Sequence, residues 1–260
     1  MNINDMFDLT NRVAIVTGGC GNLGSEFVTT LHDAGATVVI IDNVPESKQL
    51  HKFYFEPTIY RVDITHQEAI RCILLDILKN VGKPSILINC AAIDVPPSNQ
   101  SNESMFKFDN IIDVNIKGTV NCSLIFGEYM EQEHNNGSII NISSIYGEVS
   151  PDQRIYIKDN QPDELPFVKP ISYCISKGAI PNMTRYLATY FKNVRVNTLT
   201  LGGVFNNQNT EFVKKYSDKV PLGRMANNDE YNGAILFLAS NASSYMTGSN
   251  LIIDGGYTAW

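Results

Sequence analysis

Short apolar runs alternating with helix-length segments constrain this chain more than any other feature it carries. The runs lie at 13–17, 37–41, 58–62, 86–89, 138–142, 194–198 and 250–253. Several are apolar throughout instead of alternating, the pattern of parallel strands covered on both faces. The helix-length segments span 23–33, 67–81, 104–133, 172–191 and 229–239. Strand, helix and strand repeated along the chain require right-handed crossovers. The order therefore predicts an α/β fold, a doubly wound seven-stranded parallel sheet with helices on both faces. No composition shift marks a linker and no segment repeats, so residues 1–260 are expected to form one domain. Such sheets bind ligands outside the carboxyl ends of their strands. The residues just after each strand are where chemistry is to be sought.

Composition narrows the classes. Hydrophobic residues make up 43% and charged residues 18%, which suits a large buried core. The net charge of −7 comes with no dense cluster of Lys and Arg, so a nucleic-acid partner is not expected. Cys20, Cys72, Cys90, Cys122 and Cys174 are odd in number and irregular in spacing. They predict neither a disulfide framework nor a metal site. No apolar stretch approaches the roughly 20 residues that cross a bilayer, and the first residues lack the basic-then-apolar pattern of a secretory signal. A soluble, cytoplasmic protein with no membrane partner is the expectation.

The first strand runs into Thr17, Gly18, Gly19, Cys20, Gly21, Asn22, Leu23 and Gly24, and a helix follows. A glycine-rich turn alone serves any strand-to-helix connection. Here its place after the first strand brings backbone N–H groups and the positive end of a helix dipole to a pyrophosphate, the arrangement of a Rossmann dinucleotide site. Asp42 ends the second strand, where a carboxylate accepts from ribose hydroxyls and repels a 2′-phosphate. No Lys or Arg stands in the turn or just after Asp42, so NAD is favoured over NADP.

Three further motifs follow strand ends. Asn89, Cys90, Ala91 and Ala92 follow the fourth strand, Ser143 and Ser144 the fifth, and Tyr173 with Lys177 opens a helix. With the glycine turn, this set resembles the short-chain dehydrogenase/reductase family, of the smaller kind, along essentially the whole chain. The resemblance implies Tyr173 as general acid/base, Lys177 as its electrostatic partner and a ribose ligand, and Ser144 as a hydrogen-bond partner of the reacting oxygen. It implies Asn115 as the holder of a water in a proton relay. Gly18, Gly21, Asn22, Leu23, Gly24, Asp42, Asp63, Ile64, Asn89, Ala91, Gly202 and Val204 would contact the dinucleotide. An ordinary helix pair at Tyr173 and Lys177, a turn serine at Ser144 and a surface asparagine at Asn115 are the plainer alternatives. The lysine four residues after Tyr173 is expected to lower its phenol pKa from an ordinary value near 10.

A narrower resemblance is to flagellin-modification oxidoreductases of nonulosonate sugar pathways. It rests on Ile145-Tyr146-Gly147, on residues 151–156 and on residues 243–249. The resemblance as a whole implies an NAD-dependent oxidoreductase acting on a secondary alcohol or ketone of a polar, sugar-derived molecule. Its alternatives are a retired NAD-binding scaffold and an NADP-linked carbonyl reductase. It also implies a homotetramer or homodimer built on the long helices, with residues 257–260 reaching a neighbour. The chain departs from the family pattern in three places. Asn22 stands for a turn glycine; asparagine tolerates a left-handed backbone better than most residues, Gly21 could share that duty, and NAD binding is expected to survive. Leu201 stands for a proline and is expected to loosen the substrate lid at about 205–220. An insertion at about 151–170 lengthens the approach to Tyr173, either to recognise a larger polar substrate, the reading favoured, or to serve a subunit contact. Lys214, Lys215 and Arg224 could meet a substrate anion or be solvated.

Overall fold

The apolar runs become the strands of one sheet in the computed structural model, which describes residues 2–44, 53–95, 105–134, 136–157 and 168–260. Among the described residues these are β1 (Val13–Thr17), β2 (Thr37–Asp42), β3 (Thr58–Arg61), β4 (Pro84–Asn89), β5 (Gly137–Ser144), β6 (Val194–Leu201) and β7 (Asn250–Ile253). Their spatial order is β3-β2-β1-β4-β5-β6-β7, with every pairing parallel. The order reverses between β1 and β4, which opens a crevice at their carboxyl ends.

A short α1 (Ile3–Phe7) precedes the sheet, closed by a reciprocal cap between Asn2 and Asp5 that the apolar-run reading did not anticipate. The crossovers are α2 (Asn22–Asp33), α3 (Gln67–Asn80), α4 (Met105–Ile112), α5 (Thr119–Glu133), α6 (Ile171–Tyr190), α7 (Thr210–Ser217) and α8 (Asn232–Ala239). Successive strand residues face opposite layers. Ala14 and Val16 pack with Phe27, Leu31 and Leu238, whereas Val13 and Ile15 pack with Ile77, Phe126 and Leu187. Both faces being covered is the reason the strands read as unbroken apolar runs. Each such side chain contributes about 1.5–3 kcal/mol by leaving water.

Several boundaries differ from the sequence reading. The segment 104–133 is two helices joined through a π-helical turn at Asp113–Gly118. β5 and β6 run on to Ser144 and Leu201, because the buried Ser143 and Thr200 are paired strand residues that an apolar count passes over. Leu201, expected to loosen the start of the lid, is itself a paired strand residue. It lies between Ser144 and Ile253 in the sheet, and the next N–H, of Gly202, donates to the Ile253 carbonyl at 2.9 Å. The lid helix α7 follows, capped by Asn209, whose side chain accepts from the Phe212 N–H at 2.8 Å. Of the insertion, Gln153–Tyr156 forms a 3-10 turn capped by Asp152, and residues 158–167 lie outside the described residues. Among the described residues no helix is long and apolar enough to cross a membrane.

Candidate active site

The turn after β1 is built so that α2 starts against the sheet edge. Gly18 has φ +68°, a left-handed value, and a Cβ there would lie 2.7 Å from the Ala91 Cα. Its N–H donates to the Ile41 carbonyl at 2.8 Å, and the Gly21 N–H returns to the Gly18 carbonyl at 3.0 Å. α2 begins at Asn22 directly after this turn, so the positive end of its dipole faces the crevice. Asn22 does not take the left-handed step. Its backbone is the first helical residue of α2, outside the positive-φ set, and its amide pairs with Asn228 at 2.9 and 3.1 Å. Gly18 alone supplies the left-handed step of the turn, so Asn22 is released to make this cross-link.

A cleft of about 870 Å³ extends from this turn across the carboxyl edge of the sheet. Gly18, Gly21, Asn22, Leu23 and Gly24 line one end, and Asp42, Asp63 and Ile64 one side. Ala91, Gly202 and Val204 lie along it, and Ser144, Tyr173 and Lys177 stand in the same cavity. Asp42 is buried, with one carboxylate oxygen accepting from the Cys20 N–H at 2.9 Å and the other from the Val44 N–H at 3.2 Å. The donor set fits a dinucleotide: a helix N-terminus at the glycine turn, a carboxylate at the β2 end and a long crevice of sufficient volume.

Asn89 is held within the sheet. It is buried below the cleft, not in its lining, and its amide donates to Ser123 Oγ at 2.9 Å and to Asn141 Oδ1 at 2.8 Å. Asn141 is its register partner on β5, so the pair ties two strands together. Asn115, in the π-helical turn, is also buried. Its Oδ1 accepts from the Ile93 N–H at 2.8 Å, and its Nδ2 donates to the Ile93 carbonyl and to Ser176 Oγ, both at 3.0 Å. It thereby fixes the loop after β4 against α6.

α6 carries the chemistry. Pro181 lies inside this helix and has no N–H to give to the carbonyl four residues back, that of Lys177. Ser143 Oγ donates to that carbonyl instead, at 2.9 Å. The proline thus converts a helix hydrogen bond into a clamp between α6 and β5 at the site. Lys177 is buried, and its Nζ donates to the Ile142 carbonyl at 3.0 Å. Burial pushes its ammonium pKa down.

Tyr173 departs from the expected direction. Burial pushes its phenol pKa up, the Asp94 carboxylate adds to the rise, and a hydrogen bond with Ser144 opposes it. The Lys177 Nζ lies 5.9 Å from the ring centroid and is held by Ile142, so removal from water outweighs it. Among the described residues no group of three His, Cys, Asp or Glu side chains could hold a metal ion.

Residues 12–156 match the family model described as short chain dehydrogenase. The chain belongs to that family. Residues 165–258 match the model described as Enoyl-(Acyl carrier protein) reductase. A D-arabinitol 2-dehydrogenase [ribulose-forming] of Candida albicans (strain WO-1) is 31% identical, over 100% of this chain and 97% of the relative. The solved short chain dehydrogenase of Leptospira borgpetersenii with bound NAD+ is 33% identical with TM-score 0.87, covering 99% of this chain and 96% of that one. A gluconate 5-dehydrogenase of Burkholderia cenocepacia in complex with NADP and tartrate is 25% identical with TM-score 0.85, and each chain is covered in full, 100%.

Within this short-chain dehydrogenase, the Tyr173 end of the cleft holds aromatic side chains to which the sequence reading gave no individual site role. Tyr146, Tyr156, Phe212 and Tyr216 line it. Tyr146 and Tyr156 share a hydrogen bond of 2.8 Å, and Tyr156 stacks on Phe212 of the lid at 5.5 Å. Lys169 and Asp94 complete it. The three cations considered for a substrate anion are elsewhere. Lys215 donates to Glu211 and to the Ile157 carbonyl, Arg224 is held bidentately by Glu230, and Lys214 is exposed outside the cleft lining. The spacing 169, 173, 177 was the available signal for Lys169. Pro170, read as the end of a loop, concealed it.

Proposed function

We propose that the protein is an NAD-dependent oxidoreductase that interconverts a secondary alcohol and a ketone on a polar, sugar-derived substrate, of the polyol class. One observation carries this reading: Tyr173 and Ser144 share a single cleft with the glycine turn at the start of α2 and with Asp42. Nicotinamide dinucleotide, when bound, supplies the hydride acceptor or donor. Gly18 to Gly24 and the α2 N-terminus would hold its pyrophosphate, Asp42 its adenine ribose hydroxyls, and Lys177 its other ribose. Ser144 orients the substrate oxygen. Tyr173 takes the hydroxyl proton during oxidation and returns it during reduction. The similarity to an arabinitol dehydrogenase and to an NAD-bound structure supports the substrate class and the cofactor.

The test is initial-rate kinetics with NAD and NADP against free pentitols, phosphorylated sugars and nucleotide-linked sugars. The last two groups examine the nonulosonate and flagellin pathway that the narrower resemblance implies. NAD is expected to exceed NADP by at least about tenfold in kcat/KM, and Asp42→Ala to narrow that ratio by removing the charge that repels a 2′-phosphate. Equal or better use of NADP by the wild type would remove Asp42 from this role.

The phenol gives a pH dependence with a defined sign. Its pKa is raised, so the protonated form prevails at neutral pH. Oxidation needs the phenol without its proton and is expected to speed up as pH rises. Reduction needs the proton, and with the pKa raised above the ordinary value near 10 its rate is expected to stay level up to about pH 10. Rates in both directions between about pH 6 and pH 10 check this. An oxidation rate that falls with pH contradicts it.

The free cysteines suit a reducing compartment, and we place the protein in the cytoplasm on that ground. Exposed Ile171, Ile175 and Tyr186 along one side of α6 support a homodimer or homotetramer.

A further inference from the structure

Lys169 and Asp94 form an ion pair inside the cleft that the proton-transfer chemistry does not use. Lys169 stands one residue before Pro170, the N-cap of α6, and so four residues before Tyr173. Its N–H donates to Gln153 Oε1 at 2.8 Å, which fixes the far end of the insertion to its beginning. Its side chain is only 7% exposed, and its Nζ lies 4.4 Å from the Tyr173 ring centroid and 2.5 Å from Asp94 Oδ2. Asp94 is 47% exposed and lines the same cleft, so its carboxylate faces whatever enters.

A lysine this deeply buried is costly without a counter-charge, and Asp94 is the carboxylate that meets it. Among the described residues the only other cation lining the cleft is Lys177, whose Nζ is bound to the Ile142 carbonyl. A substrate carboxylate would therefore arrive beside a carboxylate whose lysine is already neutralised. Like charges so placed are strongly disfavoured. A neutral polyol meets no such penalty. Its hydroxyls donate to Asp94 and accept from the remaining Lys169 protons, a pairing that adjacent hydroxyls satisfy from both sides.

Resting on the oxidoreductase reading above, we propose that the Asp94–Lys169 pair is a specificity device that selects neutral polyhydroxy substrates over sugar acids. The polyol and gluconate enzymes similar to this chain show that both classes occur among its relatives. The pair assigns this chain to the first.

The experiment compares D-arabinitol with D-gluconate as substrates, with NAD, in the wild type, Asp94→Asn, Lys169→Met and the double variant. The wild type is expected to favour the pentitol by at least about tenfold in kcat/KM. Asp94→Asn frees the lysine and is expected to narrow that ratio by about tenfold or more, through the gluconate KM. Lys169→Met should raise KM for the pentitol without restoring gluconate. The double variant, which leaves no unpaired charge, covers the case in which Asp94→Asn does not fold, and it should lose the preference. Wild-type preference for gluconate, or an unchanged ratio in folded Asp94→Asn or in the double variant, overturns the proposal while leaving the oxidoreductase reading intact. Thermal protection of the NAD complex by each compound provides a readout without turnover. Selective protection by the pentitol supports the pair even where no product forms, the outcome that removes the oxidoreductase reading alone; equal or greater protection by gluconate overturns it.

Discussion

Tyr173→Phe is expected to lower kcat for alcohol oxidation by about 10²–10⁴-fold while changing the dinucleotide Kd by no more than about twofold. The substitution removes one oxygen and keeps the ring. Lys169 lies over that ring at 4.4 Å, so its contact with the face is retained, and the bond lost is the one with Ser144. Ser143 still clamps α6 to β5 through the Lys177 carbonyl, so the helix that presents the residue stays in place. What disappears is the group that accepts the hydroxyl proton. Steady-state rates and calorimetric titration with NAD separate the two effects. A variant within about threefold of wild-type kcat would show that the proton leaves by another route. A variant that also fails to bind NAD would place Tyr173 in the architecture of the cleft and not in its chemistry.

The sheet was legible because its strands are covered on both faces, so that Val13 to Thr17 reads as an unbroken run and every strand is found near its observed place. The residues of the cleft were legible where they end a strand or directly follow one, as at Asp42, Ser144 and Gly18, all of which line it. Elsewhere the deciding quantity was not local. Whether Asn89 faces the cleft or the neighbouring strand depends on its register with Asn141, which requires β4 and β5 to be already paired. The direction of the Tyr173 shift depends on how much water the fold removes, whereas the chain shows only the charge four residues away. Lys169 required knowing that Pro170 begins α6 and that the residue before it folds back over the ring. Its partner Asp94 is 75 residues distant along the chain.

Gly24→Ala is expected to weaken NAD binding by about 100-fold or more, and to cost about 1–3 kcal/mol of stability, through overpacking at a point that has no side chain to move aside. A Cβ on Gly24 would lie 2.1 Å from the Gly18 carbonyl oxygen and 2.9 Å from both the Gly18 carbonyl carbon and the Gly19 Cα. All three are backbone atoms, so relief requires α2 to draw away from the turn. Gly18 cannot yield toward the sheet, because Ala91 stands against it and its own N–H is committed to Ile41. The movement therefore falls on the start of α2, whose first N–H groups are the ones proposed to meet the pyrophosphate. Gly233→Ala is the matched control. That glycine lies exposed in α8 with nothing within 4 Å of a built Cβ, and alanine there should leave binding unchanged and add a few tenths to about 1 kcal/mol of helix stability. Calorimetry with NAD and thermal unfolding of both variants decide the matter. Were Gly24→Ala to bind NAD as the wild type does, the close approach of α2 to the turn could not be what creates the dinucleotide site.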